Sequence, residues 1–230
     1  MPITEAKPSD LEWFKKLQQD FNQNKKDFIK PTKRRTSLNR CPGIFGIMGR
    51  GWIQRAWQDI SIETNGDGQN FSWATPSDQK DLGKGAVGVM DYISTHLDMQ
   101  QLYTNDFRNL RSIIKVQSPW SVRLPKGYSL LALPIPYPDH SNYEAAIGLY
   151  KGSNVLHQLS VQLRWYVKDG ICLIPAGTPL QHYVLVKDET INTVVRPSNE
   201  KDNEDLNTAI MSLYNSFVTK YANIKKVFNN

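Results

Sequence analysis

The sequence of 230 residues contains no long hydrophobic run. Its longest apolar stretch, around Tyr128 to Ile135, falls far short of the roughly 20 residues a membrane-spanning helix requires. Neither a transmembrane helix nor a membrane partner is expected. The N-terminus has no apolar signal core and carries Pro at position 2, so export through a signal peptide is not expected either. Cysteine is scarce: Cys41 and Cys172 are too few for a disulfide framework or a Cys-rich zinc site. The expectation is free thiols in a reducing cytosol. Histidine is also thin. Of His96, His140, His157 and His182, only His96 has an acid two residues away, Asp98 in a polar stretch, so no metal and no other cofactor is expected.

Signatures of catalysis are missing as well. No G-x-x-x-x-G-K-[ST] occurs, which excludes P-loop phosphoryl chemistry. No G-x-S-x-G nucleophile elbow occurs either. Gly83 to Gly88 match G-x-G-x-x-G, but Pro76 to Asp81 before them do not read as a strand. The dinucleotide fingerprint needs that strand, so the segment reads as a loop. Asn65-Gly66-Asp67-Gly68 lacks the alternating ligands and the Glu at position 12 of a calcium loop and reads as a hairpin turn. Cys172, between Ile171 and Leu173, reads as a buried, inert thiol. No catalytic residue is assigned, and the role expected is non-enzymatic.

What is present begins with charge. Residues 1–40 hold 10 Lys or Arg against 5 Asp or Glu, whereas residues 41–195 hold 13 of each. The basicity is concentrated in an arm over residues 25–40 that includes Lys33, Arg34 and Arg35. Such an arm suits an acidic partner surface. Nucleic acid is expected only through this arm, because the neutral body offers no electrostatic footprint for it.

Hydrophobic spacing then divides the chain. Ser9 and Glu12 form a capping-box pattern ahead of Leu11, Phe14, Leu17 and Phe21, which fall on one helical face. Leu206, Ile210, Leu213, Tyr214, Phe217, Val218, Tyr221 and Ile224 mark a second amphipathic helix, with Asn203 or Asp205 as its cap. From Cys41 onward the character is β. Trp52 to Thr64 runs into the Asn-Gly-Asp-Gly turn, and Phe71 to Trp73 resumes beyond it. Ile113 to Val116, Trp120 to Leu124, Tyr128 to Pro134, Gln158 to Val167, Ile171 to Ile174 and His182 to Val186 read as short strands with turns such as Ser118-Pro119 between them. Thr75 to Asn109 reads as a polar excursion, and Pro134, Pro136 and Pro138 exclude a central strand there. Gly127 and Gly177 each follow a proline by two residues. Pro suits position i+1 of a turn and Gly supplies the positive φ of a type II turn at i+2, so both are expected to be structural turns. The fold expected is mainly β, an antiparallel β-sandwich or jelly-roll-like body with N- and C-terminal amphipathic helices. Its parts are 1–39 (helix and basic arm), 40–195 (body) and 196–230 (C-terminal helix).

Three segments carry a resemblance. They are Arg40-Cys41-Pro42-Gly43 with Gly51-Trp52-Ile53 and Asp59-Ile60, then Ser118 to Ser129, and then Ile174 to Tyr183. In this order they resemble an uncharacterised family of β-rich proteins of tailed bacteriophages, with bacterial cousins, over roughly residues 38–190. That family has no established activity to transfer. The last segment is also similar to a late strand of dUTPase-like folds. Pro125-Lys126-Gly127-Tyr128 is similar to their Gly-Tyr turn, but Leu124-Pro125 stands where the catalytic Asp before that turn would be, and no Arg-Ser-Ser phosphate stretch appears. The resemblance implies shared shape without shared catalysis.

The function expected is therefore a structural or assembly subunit, made in the host cytoplasm and placed in the phage particle. It would be an oligomer or pack on other phage proteins through Leu11, Phe14, Leu17, Phe21, Lys33, Arg34 and Arg35. The alternative is a small-ligand or nucleotide binder on the same body.

Overall fold

Runs of Ile, Val, Leu and aromatic residues broken by Gly and Pro favour short, half-buried extended segments, and the computed structural model is built mainly from them. It describes residues 3–7, 11–23, 42–76, 81–85, 88–96, 108–190 and 192–208. Two units are distinguished, Met1–Glu189 and Thr190–Asn230.

In the first unit every strand pairing is antiparallel. A five-stranded sheet comprises β1 (Thr4–Glu5), β2 (Trp52–Arg55), β14 (Pro179–Lys187), β9 (Tyr128–Leu133) and β11 (Gly148–Lys151), in that order. A four-stranded sheet has β10 (Tyr143–Ala145), β12 (Leu156–Trp165), β8 (Ile114–Arg123) and β7 (Ile93–Thr95). A three-stranded sheet has β13 (Asp169–Ile174), β3 (Ile60–Asn65) and β4 (Phe71–Ala74), and β5 (Asp81–Gly85) pairs with β6 (Gly88–Asp91). Among the described residues of this unit, the helices α1 (Glu12–Gln23) and α2 (Pro42–Met48) accompany them.

Alternation decides where the core lies. In β3, Ile60, Ile62 and Thr64 are buried while the residues between them are not. Ile60 and Ile62 meet Ile114 and Val116 of β8, Val161, Leu163 and Trp165 of β12 and Tyr143 of β10 in one apolar cluster. A second cluster joins Leu130, Ala132 and Tyr183 of the five-stranded sheet to Leu124 and Leu159. The third holds Leu11 just before α1, Phe14 of α1, Met48 of α2, Ile53 of β2, Ala6 and Ile135.

That third cluster changes the reading of the N-terminal helix. Leu11 and Phe14, expected to meet a partner, are each only 6% exposed and lie in the chain's own core. Each such burial stabilises by roughly 1.5–3 kcal/mol, so α1 belongs with the body and not with a separate segment 1–39. Leu17 and Phe21 lie on the backbone of α1, but their side chains are outside the described residues, as are Lys33, Arg34 and Arg35.

Several local expectations are corrected. Residues from Cys41 do not turn directly to β, because Pro42 to Met48 form α2. Trp52 to Thr64 is not one strand but two in different sheets, β2 and β3, with the break after Arg55, where the Ala56 N–H bonds Thr178 O at 2.9 Å. Ser118-Pro119 is no turn. It lies inside β8, where a register shift opposite Gln158 and Ser160 leaves Pro119 out of the ladder it could not join. The G-x-G-x-x-G segment spans a two-stranded ribbon, with Gly85 opposite Gly88. The Asn-Gly-Asp-Gly turn does join β3 to β4, with positive φ at Gly66 and Gly68. Gly127 and Gly177 both have φ 87°, as turns require. Their prolines take position i and not i+1, since Pro125 O accepts from Tyr128 N and Pro175 O from Thr178 N.

In the second unit a helix, α3, begins at residue 200 and is described through 208. Its cap is neither Asn203 nor Asp205. Asn199 Oδ1 accepts from the Asp202 N–H at 2.9 Å, while the Asp202 carboxylate accepts from the Asn199 N–H at 2.8 Å. This is a reciprocal capping box, and Arg196 Nη2 donates to Asp202 at 2.8 Å beside it.

Candidate functional site

The three prolines that exclude a strand build the wall of a cleft instead. After β9 the chain continues as Pro134-Ile135-Pro136-Tyr137-Pro138-Asp139-His140. Prolines fix φ and donate no ladder bond, so this stretch runs outside any sheet as an irregular segment that bends at Pro136, Tyr137 and Asp139. Beside it lies a cleft of about 600 Å³, closed by β10, Tyr166 and the start of β14.

Helix α1 holds the proline wall in place. The Asp139 carboxylate accepts from the Glu12 N–H at 3.0 Å and the Trp13 N–H at 3.2 Å. A side chain more than 120 residues away in sequence thus satisfies the first-turn donors of α1 and meets the positive end of its dipole. Ser9, the cap expected from sequence, lies outside the described residues. Trp13 Nε1 also donates to Tyr137 O at 2.7 Å, and the two rings meet edge to face. Tyr137 has φ 54°, a left-handed conformation that a bulky residue adopts only when its surroundings impose it. The floor is tied by Gln181, fully buried on β14, whose Nε2 donates to Leu133 O at 3.1 Å and to Ala146 O at 2.9 Å.

Aromatic side chains line the inner side. The Tyr143 ring stacks parallel on Trp165 at 5.5 Å, and the His140 ring lies 4.1 Å from Tyr143. Tyr143 is 6% exposed. Neither Tyr143 Oη nor His140 Nδ1 has a hydrogen-bond partner among the described residues. Burial pushes the Tyr143 phenol well above its ordinary range, and burial lowers the His140 pKa against the opposing pull of Asp139. Burial thus favours the uncharged form of both rings. Tyr166 Oη donates to the Glu144 carboxylate at 2.8 Å, and Glu144 faces Arg164 across the β10–β12 pairing. The described lining contains no Lys or Arg, so a phosphate entering the cleft would meet no counter-charge there.

Elsewhere, polar groups singled out by sequence serve the fold. Asp59 Oδ1 accepts from the Ala176 N–H at 2.7 Å, holding the turn that carries Gly177. Burial pushes the Cys172 thiol up, and Asn142 Nδ2 donates to its Sγ at 3.3 Å, as suits an inert side chain. Cys41 lies outside the described residues. No group of three His, Cys, Asp or Glu is placed to hold a metal among the described residues, and no described helix is long and apolar enough to cross a membrane.

The outer face of β13 is the second notable surface. Ile171 and Leu173 alternate with buried Cys172 and Ile174 and are 70% and 60% exposed, on a strand at the edge of its sheet. Comparison with protein-family models, curated proteins and solved structures finds no match for the chain.

The sequence signals for the cleft were the alternating prolines and the aromatic residues following them. They exclude a central strand there, but do not say what stands opposite.

Proposed function

We propose that this chain is a non-enzymatic binding protein whose β body presents a preformed cleft to a small ligand. The observation that carries this reading is the cleft itself. A cavity of about 600 Å³ lies in the usual size range of small-molecule sites and, like them, is mostly apolar with a few convergent polar groups. Its wall is fixed before any ligand arrives, through Asp139, Tyr137 and Gln181, and preorganisation reduces the entropy lost on binding. The missing cations argue against a nucleotide phosphate seated in the cleft and for an unphosphorylated compound.

The test is thermal denaturation in the presence of a panel of small metabolites. A ligand at about 100 times its dissociation constant stabilises by about 2.7 kcal/mol, a clear rise in melting temperature. Ser141→Trp, at an exposed position in the lining, should keep the fold and abolish the rise. No shift with any compound would overturn the reading.

A second reading, the assembly subunit of a tailed-phage particle, is favoured by Ile171 and Leu173. Exposed apolar residues on a sheet edge suit burial by a neighbouring chain. In this reading the contact moves from the N-terminal helix to the β body, which we take to be a sandwich because one apolar cluster joins its three- and four-stranded sheets. Sedimentation as an oligomer that Ile171→Glu converts to monomer, and recovery of the chain from purified particles at stoichiometric copy number, would support it. A monomer absent from particles would exclude it.

A further inference from the structure

We infer that the cleft takes an uncharged, planar ring compound whose edge carries hydrogen-bonding groups, received by His140 and Tyr143. This rests on the reading of the cleft as a ligand site and adds the chemistry of the ligand.

Flatness follows from the surfaces available. The half-buried His140 ring, tilted against Tyr143, and the rings of Tyr137 and Tyr166 offer aromatic surface, and Pro136 and Pro138 add the faces of their rings. Planar rings gain most from such contacts, through stacking and apolar burial together.

Neutrality follows from the charges. An anion would lose its hydration with no Lys or Arg in the described lining to replace it. A cation would find one carboxylate, Glu144. That group already accepts from the Tyr166 hydroxyl and stands opposite Arg164 in the strand register. His140 brings no compensating charge, because its burial favours the neutral ring.

The polar edge follows from two unpaired groups. Buried polar atoms are almost always hydrogen-bonded. Tyr143 Oη and His140 Nδ1 have no partner among the described residues, although both side chains line the cleft. A neutral phenol donates, and a neutral imidazole nitrogen donates or accepts according to its tautomer. A lactam or similar heterocycle edge, with a carbonyl acceptor next to an N–H donor, answers both.

The experiment uses the full chain and two bicyclic probes of similar size, the neutral lactam 2-quinolinone and the anion naphthalene-2-sulfonate, with dissociation constants measured by titration. The lactam should bind saturably, and the sulfonate at least about tenfold more weakly. Tyr143→Phe and His140→Phe keep an aromatic ring at each position and should each weaken lactam binding by about three- to tenfold, the range for losing one hydrogen bond, with melting temperatures close to wild type. Equal binding of both probes would overturn neutrality, and unchanged affinity in both variants would overturn the polar edge. If the lactam fails to bind while another metabolite gives a shift that Ser141→Trp abolishes, the ligand class is wrong and the cleft reading stands. If nothing binds, both fall.

Discussion

Glycine sites separate into two kinds at the scale of the residue. Gly127 needs only its positive φ, since a Cβ there would meet nothing within 4 Å. Gly51 combines φ +80° with backbone contact, as a Cβ would come within 1.9 Å of Tyr183 O. Gly152 has ordinary φ but would bring a Cβ to 2.1 Å from Tyr128 O and 2.3 Å from Pro125 O. Strained conformation alone costs about 1–3 kcal/mol, whereas a clash with backbone oxygen forces strands apart. Denaturant titration should therefore rank Gly51→Ala and Gly152→Ala as clearly more destabilising than Gly127→Ala, with Gly127→Ala near 1 kcal/mol. Equal losses would show that sterics at Gly51 and Gly152 are relaxed by movement. Sequence marks Gly127 through its turn, but Gly51 and Gly152 are set by strands distant in sequence, so no local pattern marks them.

Asp67 makes a second prediction at this scale. Its carboxylate accepts from the Gln69 and Asn70 N–H groups at 2.7 and 2.8 Å and from Asn70 Nδ2 at 2.6 Å. The backbone bond from Asn70, then that from Gln69, lowers its pKa to about 2. A carboxylate with a depressed folded pKa contributes stability above its unfolded value of about 3.9 and loses it as pH falls through the folded one. NMR titration should find Asp67 ionised until about pH 2, and Asp67→Asn should flatten the pH dependence of stability between about 4 and 2. A midpoint near 4 would contradict the turn geometry.

Helix α1 is the instructive case at the scale of the element. Its amphipathic face was legible in Leu11 and Phe14, but periodicity says only that a face is buried, not against what. The answer depends on Met48, Ile53 and Ile135, brought together by the sheet, and on Asp139 capping across the fold. Asp139→Ala should cost about 1 kcal/mol, in the range for a lost N-cap, and should loosen the proline wall, readable as faster amide exchange in residues 135–140. A chain starting at Leu38 loses Leu11 and Phe14 from the core and should melt well below the full-length protein. A truncated chain as stable as the parent would return α1 to the role of a detachable arm. The strands β2, β3, β4, β8, β9, β12, β13 and β14 were legible from β-branched and aromatic runs, whereas β5, β6 and β7 lie in the stretch Thr75 to Asn109 that reads as a polar excursion, and β1, β10 and β11 were not legible. The merging across Pro119 and the division after Arg55 were not legible either, because a bulge and a change of sheet are set by pairing partners.

At the scale of the whole molecule, the cleft assembles from segments that sequence cannot place together: Ile47 of α2, the stretch 133–147, Tyr166, and Pro179 and Leu180 of β14. Pro134, Pro136 and Pro138 announced only what the chain does not do there. The site comes from topology, since β9 and β14 pair with Leu133 opposite His182 and so bring the proline wall beside the start of β14. The central claim is that this cleft is where the protein meets its ligand. Amide chemical-shift mapping of the labelled full-length chain against a small-molecule panel tests it most directly. The account predicts saturable shifts concentrated in residues 133–147, Tyr166 and Leu180. Saturable shifts gathered at the outer face of β13 and absent from those residues, or no shifts at all, would contradict it.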